Sequence, residues 1–172
     1  GCYAQLNPEA INSIAGNSVV LGTSGKFSLP SVIQSGHTRS VIDEKNNSLS
    51  FIPSYSSGDR TRSFLKIQDG CDYYCAYCIV PHARGASRSS TIEDTLLLAE
   101  RIADSGINEI VLTGVNVGDF GRKNRETLSG LLQRLVKISS IQRIRLSSIE
   151  PDLLTFEMID LIANSAKILP HF

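Results

Sequence analysis

Three of the four cysteines in the chain, Cys71, Cys75 and Cys78, fall within the stretch "CDYYCAYC", spaced C-x3-C-x2-C. Thiolates are soft ligands, and three that converge on one point suit a cubane iron–sulfur cluster whose fourth iron has no protein ligand. An iron left open in this way can bind a substrate. The same residues allow a second reading, a structural zinc ion closed by His82, four positions after Cys78. Zinc usually takes C-x2-C pairs, and Pro81 restrains the backbone where a ligand knuckle would need freedom. A third reading, inert core cysteine, conflicts with Asp69, Gly70 and Asp72, which make the segment polar. His82 reads as a loop residue facing a pocket or solvent.

Composition bounds these readings. The chain has 172 residues, 41% of them hydrophobic, enough for a real core without disulfide staples. Lys+Arg and Asp+Glu each total 17, so no bulk charge points to nucleic acid or membrane, and any RNA contact must come from local patches. No run approaches the roughly 18 apolar residues that a membrane span needs, and the first residues do not read as the basic, apolar, small-residue pattern of a signal peptide. The default compartment is the cytoplasm, where clustered cysteines read as metal or redox groups and no disulfides are expected. A start on "GCYAQ" without Met reads as the interior of a longer chain.

The elements that must position the cysteines follow from periodicity. "NPEAINSIAGNSVVLG" reads as a helix capped by Asn7 with Pro8 in its first turn, a Gly16-Asn17 break and a strand over "SVVLG". Residues 36–62, rich in Ser, Asn and charge, read as a linker with room for one hairpin. Residues 1–35 then close one domain and 63–172 form another. Within the second, "SFLKIQ", "EIVLTG" and "QRIRLSS" read as strands. Between them lie a helix opened by a Ser90-x-x-Glu93 capping box and stopped by Gly106, and a helix with Leu128, Leu131, Leu132, Leu135 and Ile138 on one face. Pro151 opens a third helix, and "AKILPHF" begins a fourth strand. Three strand–helix alternations imply an α/β fold with parallel strands, too few units to close a barrel. Ligands of such sheets bind at the carboxyl ends of the strands, so the turns "DGCDYYCAYC", "TGVNVGDFG" and "SSIEP" are expected on one face.

With Tyr77 just before the last cysteine, the motif resembles that of the radical S-adenosylmethionine (SAM) superfamily. "FLKIQDGCDYYCAYCIVPHARG", "LTGVNVGDFG" and "IRLSSIEP" resemble one branch, the methylthiotransferases, and "GCYAQ" with "VPHARGASRS" looks most like the type that acts on threonylcarbamoyladenosine in tRNA. The resemblance implies a partial (β/α) radical-SAM barrel of about three units, preceded by the end of the family's α/β amino-terminal domain. It further implies a [4Fe-4S] cluster on Cys71, Cys75 and Cys78, with S-adenosyl-L-methionine chelating the open iron. Around SAM it places Tyr77, Gly114, Asn116, Ser147 and Glu150. Taken singly, Gly114 could merely end a strand, and Ser147 and Glu150 could merely solvate a turn.

The resemblance makes Cys2, otherwise a small apolar residue, one ligand of an auxiliary [4Fe-4S] cluster whose two partner cysteines are not in these residues. It implies the anticodon loop of tRNA as substrate and a flavodoxin or ferredoxin as electron donor. The 172 residues by themselves are then expected to be inactive. Arg60, Arg62, Arg84, Arg88, Arg122, Lys123 and Arg125 are candidates for RNA phosphates, or simply solvated charge. The alternatives are a sister enzyme acting on isopentenyladenosine or a ribosomal-protein aspartate and, from another class, a zinc-stabilised α/β binding module.

Overall fold

The computed structural model describes residues 1–15, 18–36, 50–56, 58 and 61–171. By contact density the chain forms two compact units, one of residues 51–69 and 87–172, the other of residues 1–50 and 70–86.

The larger unit is a mixed α/β structure. Strands β2 (Arg62–Lys66), β5 (Glu109–Thr113) and β6 (Arg143–Leu146) lie parallel and adjacent, with Phe64 opposite Val111 and Val111 opposite Arg145. The central strand β5 carries Ile110, Val111 and Leu112, all buried, as a strand covered on both faces must. Ile144 also bridges Ile168 in parallel fashion, through Ile144 N–H to Lys167 O at 2.8 Å and Leu169 N–H to Ile144 O at 2.9 Å, so of the expected fourth strand in "AKILPHF" the described residues form one isolated bridge beside β6. On the other edge β1 (Ser54–Tyr55) pairs antiparallel with β2, drawing the end of the expected linker into the sheet. Residues 37–49, 57, 59 and 60 of that linker lie outside the described residues.

Helices α5 (Ile92–Asp104), α6 (Leu128–Leu135) and α7 (Phe156–Asn164) alternate with these strands. Each is capped by a threonine whose hydroxyl accepts a backbone N–H: Thr91 from Asp94, Thr127 from Gly130 and Thr155 from Met158. Two expectations change here. The cap of α5 is Thr91, not Ser90; Ser90 is buried and donates its N–H to Ile67 O at 3.0 Å, which holds it in extended pairing. Pro151 opens only a short 3-10 turn, Pro151–Leu153, and the helix starts after Thr155. Leu96, Ala99, Ile102, Leu128, Leu131, Leu132 and Leu135 pack with the strand side chains and with Met158, Ile162 and Ile168 in one core.

Two short antiparallel strands, β3 (Gln68–Asp69) and β4 (Arg88–Ser89), form a separate ribbon in this unit. The chain between them is the cysteine segment.

The smaller unit holds α1 (Cys2–Leu6), α2 (Pro8–Ala15), α3 (Leu29–Ser35) and α4 (Val80–Arg84). The expected helix at Pro8 forms, but the expected strand over "SVVLG" does not: within residues 18–22 only Leu21 makes a single bridge. The segment is pinned by polar contacts instead. Gln5 Oε1 accepts from Thr23 N–H at 2.9 Å and from its hydroxyl at 3.2 Å, and that hydroxyl also lies 3.1 Å from Ala83 O.

Candidate functional site

The cysteine segment is narrowed at its neck by glycine. Gly70 sits at φ +73°, and a Cβ there would lie 2.2 Å from Ala86 O and 2.6 Å from Gly85 O, so no other residue fits without moving backbone. Cys71 N–H donates to Gly85 O at 3.1 Å, and Cys78 N–H to Cys75 O at 2.9 Å, which folds the second cysteine back toward the third. Among the described residues none of the three is in a disulfide; Cys71 is buried and the other two are half-buried.

The side chains are not gathered at one point: among the described residues no three His, Cys, Asp or Glu groups are placed to hold a metal ion. The donor set, three cysteines on one short segment and in no disulfide, nevertheless fits an iron–sulfur cluster. His82 is exposed and packs edge-on against the Tyr74 ring, centroids 5.6 Å apart at 80°. Tyr77 is 90% exposed.

Cys2 is half-buried, and Arg84 Nε on α4 donates to its sulfur at 3.3 Å. The amino-terminal cysteine is thereby held against the helix that follows the cysteine segment.

A second group of sequence-nominated residues lies in the larger unit, on the turns after β5 and β6. Asn116, 2% exposed, accepts the Glu150 N–H on Oδ1 at 3.3 Å, and Val117 N–H donates to Ser148 O at 2.9 Å. Two of the three turns expected together are therefore joined directly. Asn116 Nδ2 and Ser147 Oγ are buried with no hydrogen-bond partner among the described residues. Buried polar groups in this condition are rare, and at the carboxyl ends of parallel strands they are what a polar ligand would satisfy. Gly114, carried over as a point of close approach, makes room for a protein side chain: a Cβ there would lie 2.8 Å from Gln68 Oε1.

Gln68 is the residue that sequence reasoning missed. It is fully buried, and its oxygen accepts from both Val115 N–H and Asn116 N–H at 2.9 Å. The only signal was a polar residue closing the strand pattern "FLKIQ", which a turn explains equally well. Beside it, buried Asp69 pairs with Lys66 at 2.8 Å and Arg88 at 3.3 Å, locking the β3–β4 ribbon.

Most of the nominated basic residues have partners. Arg62 lies 3.8 Å from Glu109, a carboxylate it shares with Arg143 and Arg145 at the amino end of β5. Arg88 serves Asp69, Arg84 serves Cys2 and Arg122 lies 3.5 Å from Asp119. Arg60 lies outside the described residues. No helix among the described residues is long and apolar enough to cross a membrane.

Residues 65–171 match the family model of the radical SAM superfamily. The chain is 36% identical to the threonylcarbamoyladenosine tRNA methylthiotransferase MtaB of Bacillus subtilis, an alignment covering 99% of this chain and 40% of that protein. It is 33% identical to MtaB of Aquifex aeolicus, over 100% of this chain and 43% of the relative. The tRNA-2-methylthio-N(6)-dimethylallyladenosine synthase of Rickettsia bellii is 31% identical, over 99% of this chain and 40% of that protein. The chain thus spans about two fifths of the length of these relatives.

Proposed function

Because the chain belongs to the radical SAM superfamily, in its methylthiotransferase branch, we propose that it is part of an enzyme that adds a methylthio group to N6-threonylcarbamoyladenosine next to the tRNA anticodon. The observation that carries this reading is the trio of cysteines outside any disulfide, Cys71, Cys75 and Cys78, inside the matched segment. The threonylcarbamoyl substrate is taken from the MtaB relatives, those above at 36% and 33% identity among them.

In this reading residues 63–172 are the first half of a radical SAM core, an arc of (β/α) barrel, and residues 1–35 close the domain before it. Cys71, Cys75 and Cys78 hold a [4Fe-4S] cluster, and Cys2 contributes to a second. The cluster with SAM supplies one-electron chemistry able to break an aromatic C–H bond that no side-chain base reaches at neutral pH. The chain's own residues bind and orient. Asn116 Nδ2 donates to a cofactor oxygen, Ser147 Oγ gives or takes one hydrogen bond, and the Glu150 carboxylate accepts from a hydroxyl or ammonium. Gly114 shapes the turn, and Tyr77, 90% exposed, lies along the adenine through its backbone. The edge of the target adenosine is reachable only when the nucleotide is unstacked, which suits an anticodon loop. A flavodoxin or ferredoxin as electron donor and a cytoplasmic setting complete the proposal.

Anaerobic reconstitution with iron and sulfide tests it. A brown protein with a broad absorbance near about 400 nm that bleaches with dithionite is expected, as for thiolate-held clusters. A colourless protein retaining one zinc per chain overturns it in favour of the binding module.

A further inference from the structure

We propose that Gln68 is a positioning residue that, braced by its own ribbon at Asp69 and Ser87, sets the cofactor-binding turn Gly114–Asn116; the inference rests on the functional reading above. A side-chain amide has two acceptor lone pairs and two N–H donors. In Gln68 all four are used. Oε1 takes Val115 N–H and Asn116 N–H at 2.9 Å each, while Nε2 gives to Ser87 Oγ at 3.0 Å and to Asp69 O at 3.2 Å. The two backbone donors oblige the oxygen to face the turn, so the nitrogen must face the ribbon. No other uncharged side chain of this length can serve both.

The fit extends to shape. The nearest atoms to a Cβ built on Gly114 all belong to Gln68: Oε1 at 2.8 Å, Cβ at 3.0 Å and the backbone O at 3.1 Å. The turn is moulded on this one residue, and Gly114 is required because Gln68 fills the space beside it.

The arrangement also decides what the turn can offer a ligand. The N–H groups of Val115 and Asn116, which an anionic ligand would otherwise find at such a turn, are consumed inside the protein. The group left over is Asn116 Nδ2, buried and without a partner among the described residues, on a side chain whose Oδ1 is held by Glu150 N–H. Gln68 therefore aims Asn116 without touching the ligand itself. A purely structural amide would matter to folding alone; a positioning amide matters to cofactor affinity with the cluster intact.

The test compares cluster-loaded wild type with Gln68→Leu, reading iron content, SAM binding by equilibrium dialysis, and hydrogen exchange at the amides of residues 115 and 116. Expected is unchanged iron, faster exchange at both amides, and SAM affinity weaker by about tenfold, the lower end of what loss of such a supporting partner costs. Unchanged SAM affinity overturns the proposal, as does iron lost in parallel with affinity. If Gln68→Leu does not fold, Ser87→Ala, which removes one acceptor of Nε2, replaces it: a rise in Kd of about threefold with full iron supports the proposal, in line with one modest hydrogen bond, and no rise overturns it. Wild-type protein that carries the cluster yet binds no SAM overturns the functional reading, a result distinct from equal binding by wild type and variant, which overturns only the role of Gln68.

Discussion

The turn after β5 and the cysteine segment both carry residues nominated for the same chemistry, yet they are built in opposite ways. At the turn, the amides of residues 115 and 116 are spent on Gln68, Asn116 is 2% exposed, and side chains complete the fit. In the cysteine segment the backbone is gripped at the neck by Gly70, Cys71 and Gly85, but the side chains beyond are open, with Tyr77 at 90% exposure and Cys75 and Cys78 half-buried. In the proposed reading these are two ways to prepare for a ligand. One region satisfies its own backbone and leaves selected side-chain atoms over; the other fixes where a segment begins and ends and would leave its sulfurs for a metal to organise.

Removing a sulfur should break the contrast most sharply. Cys75→Ala is expected to abolish iron uptake and SAM binding while leaving the melting temperature of the metal-free protein unchanged, and His82→Ala to leave iron content at the wild-type level, both read by iron analysis and thermal melts. Iron lost in the His82 variant would reassign the site to zinc-like ligation.

A core truncation works in the opposite direction. Leu132 is fully buried in the core cluster, so Leu132→Ala should cost about 3 kcal/mol by transfer and cavity terms. Denaturant unfolding measures this, and the number of thiols titrated before the transition should stay at the wild-type value.

Gly70→Ala probes the neck. The left-handed backbone alone costs about 1–2 kcal/mol, and the contact with Ala86 O adds to it. Reduced iron loading with the sheet's circular dichroism retained would sharpen the distinction; full loading would show that the neck does not govern the sulfurs.

The smallest effect belongs to the exposed pair Glu93–Arg134, which links α5 to α6. The Arg134 guanidinium, hydrogen-bonded to it, holds the Glu93 carboxyl below its ordinary 4.5. A lowered folded-state pKa gives stability that is present above the unfolded value and lost as pH falls. The melting-temperature difference between wild type and Glu93→Gln should therefore be small and constant above pH 4.5, shrink below it, and be reduced by salt.

Much of this molecule was written locally. The alternation of strands and helices, the leucine face of α6 and the spacing of the three cysteines all depend on neighbours within a few turns, where periodicity and thiolate chemistry act directly. Where two local readings competed, the sequence chose wrongly. Ser90 and Thr91 are both good caps, and the choice went to Thr91 because Ser90 N–H was needed by Ile67 O across the unit. "SVVLG" has the residues of a strand and no strand beside it among those described. Gln68 marks the limit most clearly: its acceptors and donors are ordinary, but its partners at Val115 and Asn116 stand 47 and 48 positions away. Which ligands the protein can offer was determined by residue type and spacing alone. Which backbone amides remain free to meet a ligand was decided only when the sheet brought distant turns together, because hydrogen-bond capacity is a property of a residue whereas its use is a property of the fold.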